Sequence, residues 1–341
     1  MTVNWSRPFY GCRKLLSAPV LALGLAIGVS VPAATPEPLA LESKIPLGDV
    51  RGRIDHLTID IARNRLYVAE LGNDSIGVVD LKERRVLRTL TGFREPQGIA
   101  YVAATDTVYV ANGGDGSVRL LHGPELTAVG RIDLGDDADN VRVDRNSNRV
   151  WVGYGSGAFG VVDTMSRRKI ASISLKAHPE SFQIDESSQH IFVNVPDAHE
   201  IAVVDPGTGK QTESWLMHDL GANFPMAIDE PRRQVLVVFR SPPKLGVFDM
   251  AGGASRSTVD TCEDADDVFV DAKRARVYVT CGAGFIDVLT ATADGYTHSA
   301  RVATMSGART ALFVPELDRL FVAVRASSGE AAAIWVFRPE Q

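Results

Sequence analysis

Acidic and carboxamide side chains recur along this 341-residue chain, each where a polar turn leads into a short apolar run. The set consists of Asp55, Gln97, Asp139, Asn140, Glu180, Asn223, Asp266 and Asp267. Two cations, His56 and Arg309, occupy matching positions and are the only ones expected to balance the acids. Side-chain oxygens that converge from several turns would suit a hard cation such as Ca²⁺ or Mg²⁺.

The residue types alone leave three possible roles for these turns. In the first, a divalent cation is held by Asn140, Glu180, Asp266 and Asp267. In the second, the acids meet the cationic part of an organic ligand and Arg309 holds its anionic end. The remaining contacts to that ligand would come from Asp55, Gln97, Asp139 and Asn223. In the third, the residues form solvated turns, because Asp, Asn, Pro and Gly are common turn residues.

The elements that must position these side chains form a repeat of about 42 residues. Its marker is a β-rich tetrapeptide that starts at Tyr67, Tyr109, Trp151, Phe192, Leu236, Tyr278 and Phe321. The spacings between these residues are 42, 42, 41, 44, 42 and 43. A second set of positions lies always 11 residues ahead, at His56, Gly98, Asn140, Ser181, Pro225, Asp267 and Thr310. Insertions therefore fall outside the segment between these two positions, which contains two strands of each repeat.

Each repeat contains four short runs of alternating pattern, which is typical of one blade of a β-propeller. The seventh repeat ends at Gln341 after three runs, and the segment 44–48 ahead of the first repeat resembles a fourth. The sequence therefore predicts an all-β, seven-bladed propeller of four-stranded antiparallel blades over residues 41–341. We expect the N-terminal strand to complete the last blade and close the ring without an exposed edge.

Two of the tetrapeptides, Tyr109–Asn112 and Tyr278–Cys281, resemble the Tyr-Val-Thr-Asn motif of the YVTN-repeat (YncE-like) propellers. The Gly-Asp-Gly-Ser-Val turn at 114–118 is similar to that family as well. The resemblance covers residues 41–341 and implies an exported bacterial propeller with seven blades.

An enzymatic alternative uses the same turns. Six-bladed gluconolactonase-type propellers hold a divalent ion at the channel mouth with carboxylate and carboxamide ligands, and the residue types here are similar. In that case His56 would act as a general acid or base beside the metal, as in a metal-dependent lactonase or lyase.

The first 33 residues have the pattern of a signal peptide. Arg7, Arg13 and Lys14 precede an almost uncharged apolar run over 15–31, and small residues before position 34 fit a cleavage site. An uncleaved membrane anchor is the alternative, but this run is short for a span and contains Pro19. We expect cleavage near Ala33, a linker over 34–40, no membrane span in the mature chain, and a periplasmic location.

Removal of that segment leaves 33 basic and 42 acidic residues, a net charge of −9. Because such a surface repels phosphate backbones, nucleic acid is not an expected partner. Two cysteines remain, Cys262 and Cys281, and an even number in an oxidising compartment favours one disulfide over two free thiols. The sequence as a whole predicts a periplasmic binding or interaction module with an acidic channel mouth, whose partner is a small ligand or a periplasmic protein.

Overall fold

Each of the seven repeats folds into one four-stranded antiparallel sheet, and all seven tetrapeptides lie on second strands. The computed structural model describes residues 37–341 and Gly11. The strands of blade 1 are β2 Leu57–Asp60, β3 Arg65–Glu70, β4 Ser75–Asp80 and β5 Arg85–Thr91. Those of blade 2 are β6 Pro96–Val102, β7 Thr107–Asn112, β8 Ser117–His122 and β9 Thr127–Asp133. Those of blade 3 are β10 Ala138–Asp144, β11 Arg149–Tyr154, β12 Ala158–Asp163 and β13 Arg168–Ser174.

The remaining blades repeat the same order. Blade 4 contains β14 Phe182–Asp185, β15 His190–Val195, β16 Glu200–Asp205 and β17 Lys210–Leu216. Blade 5 contains β18 Gly221–Asp229, β19 Gln234–Ser241, β20 Pro243–Asp249 and β21 Ser255–Asp260. Blade 6 contains β22 Ala265–Asp271, β23 Arg276–Cys281, β24 Phe285–Ala291 and β25 Tyr296–Ala303. Blade 7 contains β26 Ala311–Val314, β27 Arg319–Val324, β28 Ala333–Pro339 and the first strand of the chain, β1 Leu39–Pro46. Three one-turn 3₁₀ helices lie at Leu71–Asn73, Ala103–Thr105 and Pro196–Ala198.

The constant offset of 11 residues in the sequence has a simple structural cause. In blade 1, Leu57 pairs with Val68, and in blade 7 Ala311 pairs with Val322. The first two strands of all seven blades pair in this same register. Because a shift by one residue would turn every side chain to the opposite face, a buried sheet keeps its register.

The ring closes as predicted. β1 runs antiparallel to β28, with Leu39 opposite Pro339 and Ile45 opposite Ile334, and it completes the seventh sheet. The strand begins at Leu39, two residues ahead of the expected start of the propeller at 41. The predicted signal peptide over 1–33 and the first part of the linker lie outside the described residues. Within residues 37–341 there is no helix with the length and hydrophobicity needed to span a bilayer.

The core lies between neighbouring blades. Tyr109 of blade 2 is fully buried and belongs to one cluster with Val141, Val150 and Val152 of blade 3. The aromatic side chains that begin the tetrapeptides are buried in the same way. A blade thus buries its faces only against its neighbours, which fixes the channel-facing turns on a rigid ring.

A polar cavity at the channel mouth

Six of the predicted side chains line one small cavity where the innermost strands begin. They are Asp55, His56, Asp139, Asn140, Glu180 and Asp266, joined by Arg53, Ser181 and Phe224. The cavity has a volume of about 30 Å³. That is room for one group of about the size of a water molecule.

Bulges at the start of two innermost strands aim Asp139, Asn140 and Asp266. The pairing of β10 with β11 shifts between Ala138 and Val141, so Asp139 and Asn140 are left outside the ladder. Similar shifts occur in blades 2, 5 and 6. Because a bulged residue is not held by the ladder, it can turn its side chain toward the channel axis.

Gly98 of blade 2 packs closely against the backbone of Asp139 in blade 3. A Cβ atom on Gly98 would lie 2.1 Å from the backbone oxygen of Asp139. The absence of a side chain at position 98 therefore lets the Asp139 turn approach the channel.

Gln97 and Asn223 lie outside the cavity lining. The Nε2 atom of Gln97 donates to Asp137 Oδ1 at 3.3 Å. Asn223 is buried, and its Nδ2 donates to Asn194 Oδ1 at 3.2 Å and to the backbone oxygen of Glu200 at 3.1 Å. Both amides thus hold neighbouring elements in place in this structure.

Asp267 and Arg309 also lie beside the cavity rather than in its lining. Asp267 Oδ2 accepts a 2.8 Å hydrogen bond from the backbone N–H of Ala311, which ties blade 6 to blade 7. Arg309 forms ion pairs with Asp264 at 2.7 Å and Asp266 at 3.1 Å. Of the four expected metal ligands, Asn140, Glu180 and Asp266 come together, and Asp267 is engaged elsewhere.

The sequence prediction missed four of the cations around the mouth, namely Arg53, Arg142, Arg240 and His178. Arg53 Nη2 lies 2.7 Å from Asp55 Oδ2, and Arg240 Nη2 lies 2.5 Å from Asp266 Oδ1. The acids are therefore largely compensated, and the mouth is a mixed-charge surface rather than a plain acidic ring. Arg142 could have been found, since it follows Asn140 by two residues on β10 and side chains alternate along a strand.

Arg240 also covers an aromatic wall of the cavity. Its guanidinium lies 3.9 Å from the centre of the Phe224 ring, and its Nε donates to the backbone oxygen of Ala265 at 2.7 Å. A guanidinium over an aromatic face is held by cation–π attraction as well as by its hydrogen bonds. This contact fixes Arg240 and, through it, the carboxylate of Asp266.

Asn140 and Glu180 are two polar side chains of the cavity whose oxygens have neither a hydrogen-bond donor nor an ion pair within residues 37–341. Asn140 is 3% exposed, and its Oδ1 atom has no hydrogen-bond donor. Burial, together with the nearby carboxylate of Asp139, raises the pKa of Glu180 to about 7. A buried acceptor without a donor is costly, so such a group indicates a place where a donor is expected to bind.

Neighbouring carboxylates raise the pKa of both histidines of the mouth. Burial lowers the pKa of His56, but the carboxylates of Asp55, Asp267 and Asp139 outweigh this effect and raise it. Burial also opposes protonation of His178, but Asp139, the Gly155 carbonyl and Asp137 raise its pKa to about 9. His178, whose Nδ1 lies 2.6 Å from the Gly155 carbonyl oxygen, is therefore a proton donor at neutral pH.

The predicted disulfide is present. Cys262 and Cys281 are bonded within blade 6, with their Cα atoms 5.9 Å apart. The bridge joins the turn ahead of β22, which carries Asp264 and Asp266, to the end of β23. In residues 37–341, no three His, Cys, Asp or Glu side chains are placed to hold a metal ion together.

The other end of the channel has a different character. It opens into a cavity of about 1060 Å³ where apolar side chains such as Ile59 and Leu312 lie beside Arg63, which is already paired with Asp60 and Asp106. Convergent polar groups distinguish a specific site from a merely large one. The small polar cavity is therefore the candidate functional site.

Fold and site together define a seven-bladed β-propeller with a polar cavity at one end of its channel. No family model matches the chain. It is similar to the uncharacterized protein YncE of Salmonella typhi and of Salmonella typhimurium strain LT2. Each is 21% identical over 242 residues, which cover 65% of this chain and 67% of the relative. The likeness confirms the resemblance to the YVTN-repeat propellers, and with the fold it supports a propeller interaction module.

Two solved structures have the same fold. A chain of Kuenenia stuttgartiensis hydrazine synthase matches with a TM-score of 0.73 and 16% identity, over 91% of this chain and 98% of that chain. A chain of a mitotic checkpoint complex matches with a TM-score of 0.75 and 14% identity, over 94% of this chain and 99% of that chain. At such identities the likeness establishes the fold alone.

Proposed function

We propose that the protein is an exported binding module whose channel-mouth cavity receives the positively charged head of a small ligand. The observation that carries the proposal is the Oδ1 atom of Asn140, which is buried and has no donor within residues 37–341, on a residue that lines a cavity of about 30 Å³. A primary ammonium group supplies three N–H donors in the volume of about one water molecule.

The charges around the cavity fit such a group. Asp55 and Asp266 are already paired with arginines, whereas Glu180 has no ion pair within residues 37–341. An ammonium group placed between Asn140 Oδ1 and the Glu180 carboxylate would satisfy both acceptors. It would also favour the ionised form of Glu180, because an opposite charge within a few ångströms lowers the pKa of an acid.

A divalent cation is the second candidate, favoured by the all-oxygen character of the free acceptors. Asn140, Glu180 and Asp266 would hold Ca²⁺ or Mg²⁺ and rely on further oxygen ligands, since Asp266 is shared with two arginines. The lactonase or lyase alternative requires this cation, and His56 would act as a general acid or base beside it.

Isothermal titration calorimetry with ethanolammonium, CaCl₂ and MgCl₂ as separate probes tests the proposal. We expect ethanolammonium to bind, and Asn140→Ala and Glu180→Gln each to weaken it about tenfold or more, the usual worth of a hydrogen bond to a charged group. Glu230→Gln, at an exposed turn at the far ends of the strands, is the matched control. Binding of Ca²⁺ or Mg²⁺ alone would select the second candidate, and binding of none of the probes would leave water as the occupant and reject both.

Export is proposed on separate grounds. A disulfide between Cys262 and Cys281 suits an oxidising compartment, and Arg7, Arg13 and Lys14 ahead of the apolar run over 15–31 suit a signal peptide. N-terminal sequencing of the protein from a periplasmic fraction should find a chain that starts near Ala34. An intact Met1 in the membrane fraction would instead indicate an uncleaved anchor.

A further inference from the structure

A second polar cleft of about 260 Å³ lies beside the channel mouth, and we call it the arginine cleft. Its lining includes Arg53, Asp264, Ser306, Gly307, Arg309 and Arg325. Three guanidinium groups and one carboxylate thus share one cleft, on a chain whose mature part is strongly acidic. A local excess of positive charge on an acidic protein needs a physical reason.

Two of these arginines have carboxylate partners. Arg53 is paired with Asp55, and Arg309 is paired with Asp264 and Asp266. Arg325 forms no ion pair and no side-chain hydrogen bond to any of residues 37–341, and it is exposed to the cleft. A guanidinium has five donors in a planar fork, so all three side chains keep donors available.

Arg325 packs against the backbone of Gly307. Its guanidinium lies against Gly307, where a Cβ atom would come within 2.2 Å of Nε. Gly307 also has a positive φ of 82°, a conformation that favours glycine. The turn ahead of β26 therefore leaves room for the arginine beside the cleft.

We infer that the arginine cleft binds an oxyanion, a carboxylate or a phosphate, with Arg325 as its principal contact. Planar guanidinium groups bind these anions through two parallel hydrogen bonds. This inference rests on the proposed function, because Arg53 lines both the cleft and the channel-mouth cavity. The ligand class that the two sites define together is a small zwitterion, with an ammonium head in the mouth and an oxyanion in the cleft.

The test titrates the wild type and variants with four probes by calorimetry. Inorganic phosphate and acetate report on the cleft alone, and O-phosphoethanolamine and β-alanine carry an ammonium group as well. We expect one of the two anion types to bind, and the matching zwitterion to bind more tightly than the anion alone. Arg325→Gln should weaken anion binding about tenfold or more, and Arg325→Lys, which keeps the charge but loses the fork, should have a smaller effect.

Arg338→Gln, at an exposed arginine paired only with Glu340, is the matched control and should bind as the wild type does. The inference is overturned if neither phosphate nor acetate binds, or if Arg325→Gln binds them as tightly as the wild type. Failure of the proposed function would give a different experimental result. In that case Arg325→Gln still lowers anion affinity, but Asn140→Ala changes neither ethanolammonium nor zwitterion binding.

Discussion

The disulfide between Cys262 and Cys281 places the carboxylate of Asp264 directly over Gly282. A Cβ atom on Gly282 would lie 1.9 Å from Asp264 Oδ2, and Gly282 N–H donates to the backbone oxygen of Asp264 at 2.8 Å. Asp264 in turn contacts Arg309 at 2.7 Å and Arg240 at 3.6 Å. The bridge therefore anchors the carboxylates that hold two arginines of the mouth and cleft.

Loss of this bridge should destabilise the propeller. The two cysteines are 19 residues apart, and closing a loop of that size stabilises a fold by about 3 kcal/mol. We expect the Cys262→Ser/Cys281→Ser double variant to lose roughly this amount in urea unfolding. A thiol assay on the denatured, unreduced mature protein should find no free thiol. Two titratable thiols, or a double variant as stable as the wild type, would contradict this account.

Removal of the buried Arg274 side chain should destabilise the propeller strongly. Arg274 joins blades 6 and 7, with bonds of 2.7 Å from Nη1 and Nη2 to the two carboxylate oxygens of Asp318 and one of 2.9 Å to the buried Asp271. Its side chain is only 5% exposed. Because its loss leaves a buried carboxylate without its cation, Arg274→Gln should cost roughly 3 kcal/mol in urea unfolding at pH 7.

The exposed pair of Lys44 with Glu330 provides the control for that variant. Lys44 Nζ and Glu330 Oε1 lie 2.8 Å apart, but each side chain is at least about a third exposed. Solvent screening limits such a pair to about 1 kcal/mol or less, so Glu330→Gln should be nearly silent. Equal effects of Arg274→Gln and Glu330→Gln would show that burial does not decide the strength of these pairs.

Asp318 should give the propeller an acid-sensitive link between blades. Hydrogen bonds from Arg274 and Lys273 hold the pKa of this carboxyl well below its usual range. An acid whose pKa is lowered in the folded state stabilises it above the unfolded pKa, and this contribution is lost as the pH falls through the folded value. Unfolding free energies measured from pH 7 to pH 2 should therefore fall less steeply for Asp318→Asn than for the wild type. Parallel pH profiles of the two proteins would refute the link.

The fold could be predicted from the sequence because one hairpin register recurs in every blade. The pairing of Leu57 with Val68 fixes an offset that all seven repeats share, so the repeat can be read without any contact information. Closure was also visible, since the segment around Ile45 has the pattern of a missing fourth strand. The strand itself, Leu39–Pro46, starts and ends earlier than the segment 44–48 that indicated it, because strand ends depend on pairing partners that the sequence does not display.

The site was only partly predictable. The turns ahead of the innermost strands were identified, and Asn140, Glu180 and Asp266 do meet. The arginines that compensate them come from other positions in the repeat. Arg240 and Arg325 each directly follow a tetrapeptide, where the second strand turns toward the third on the same face. That shared position was a usable signal, but distances between blades decide that Arg240 pairs with Asp266 whereas Arg325 has no ion pair within residues 37–341.

Gly98 should prove as important to the site as the polar residues. Its missing Cβ would lie 2.1 Å from the backbone oxygen of Asp139 and 2.8 Å from Cγ2 of Val141. Because a backbone atom cannot turn aside as a side chain can, Gly98→Ala must displace the turn that carries Asp139 and Asn140. We expect a loss of about 2 kcal/mol in stability, typical of overpacking, together with weaker binding of ethanolammonium.

Gly130 is the matched control for that substitution. A Cβ atom at Gly130, on the outer strand β9, would meet only Leu120 atoms at an ordinary distance of 3.8 Å. Gly130→Ala should therefore leave stability and binding unchanged or slightly improved, since alanine restricts the unfolded chain. If Gly98→Ala matched Gly130→Ala in both measurements, the close approach of blade 2 to the Asp139 turn would not be what positions the candidate site.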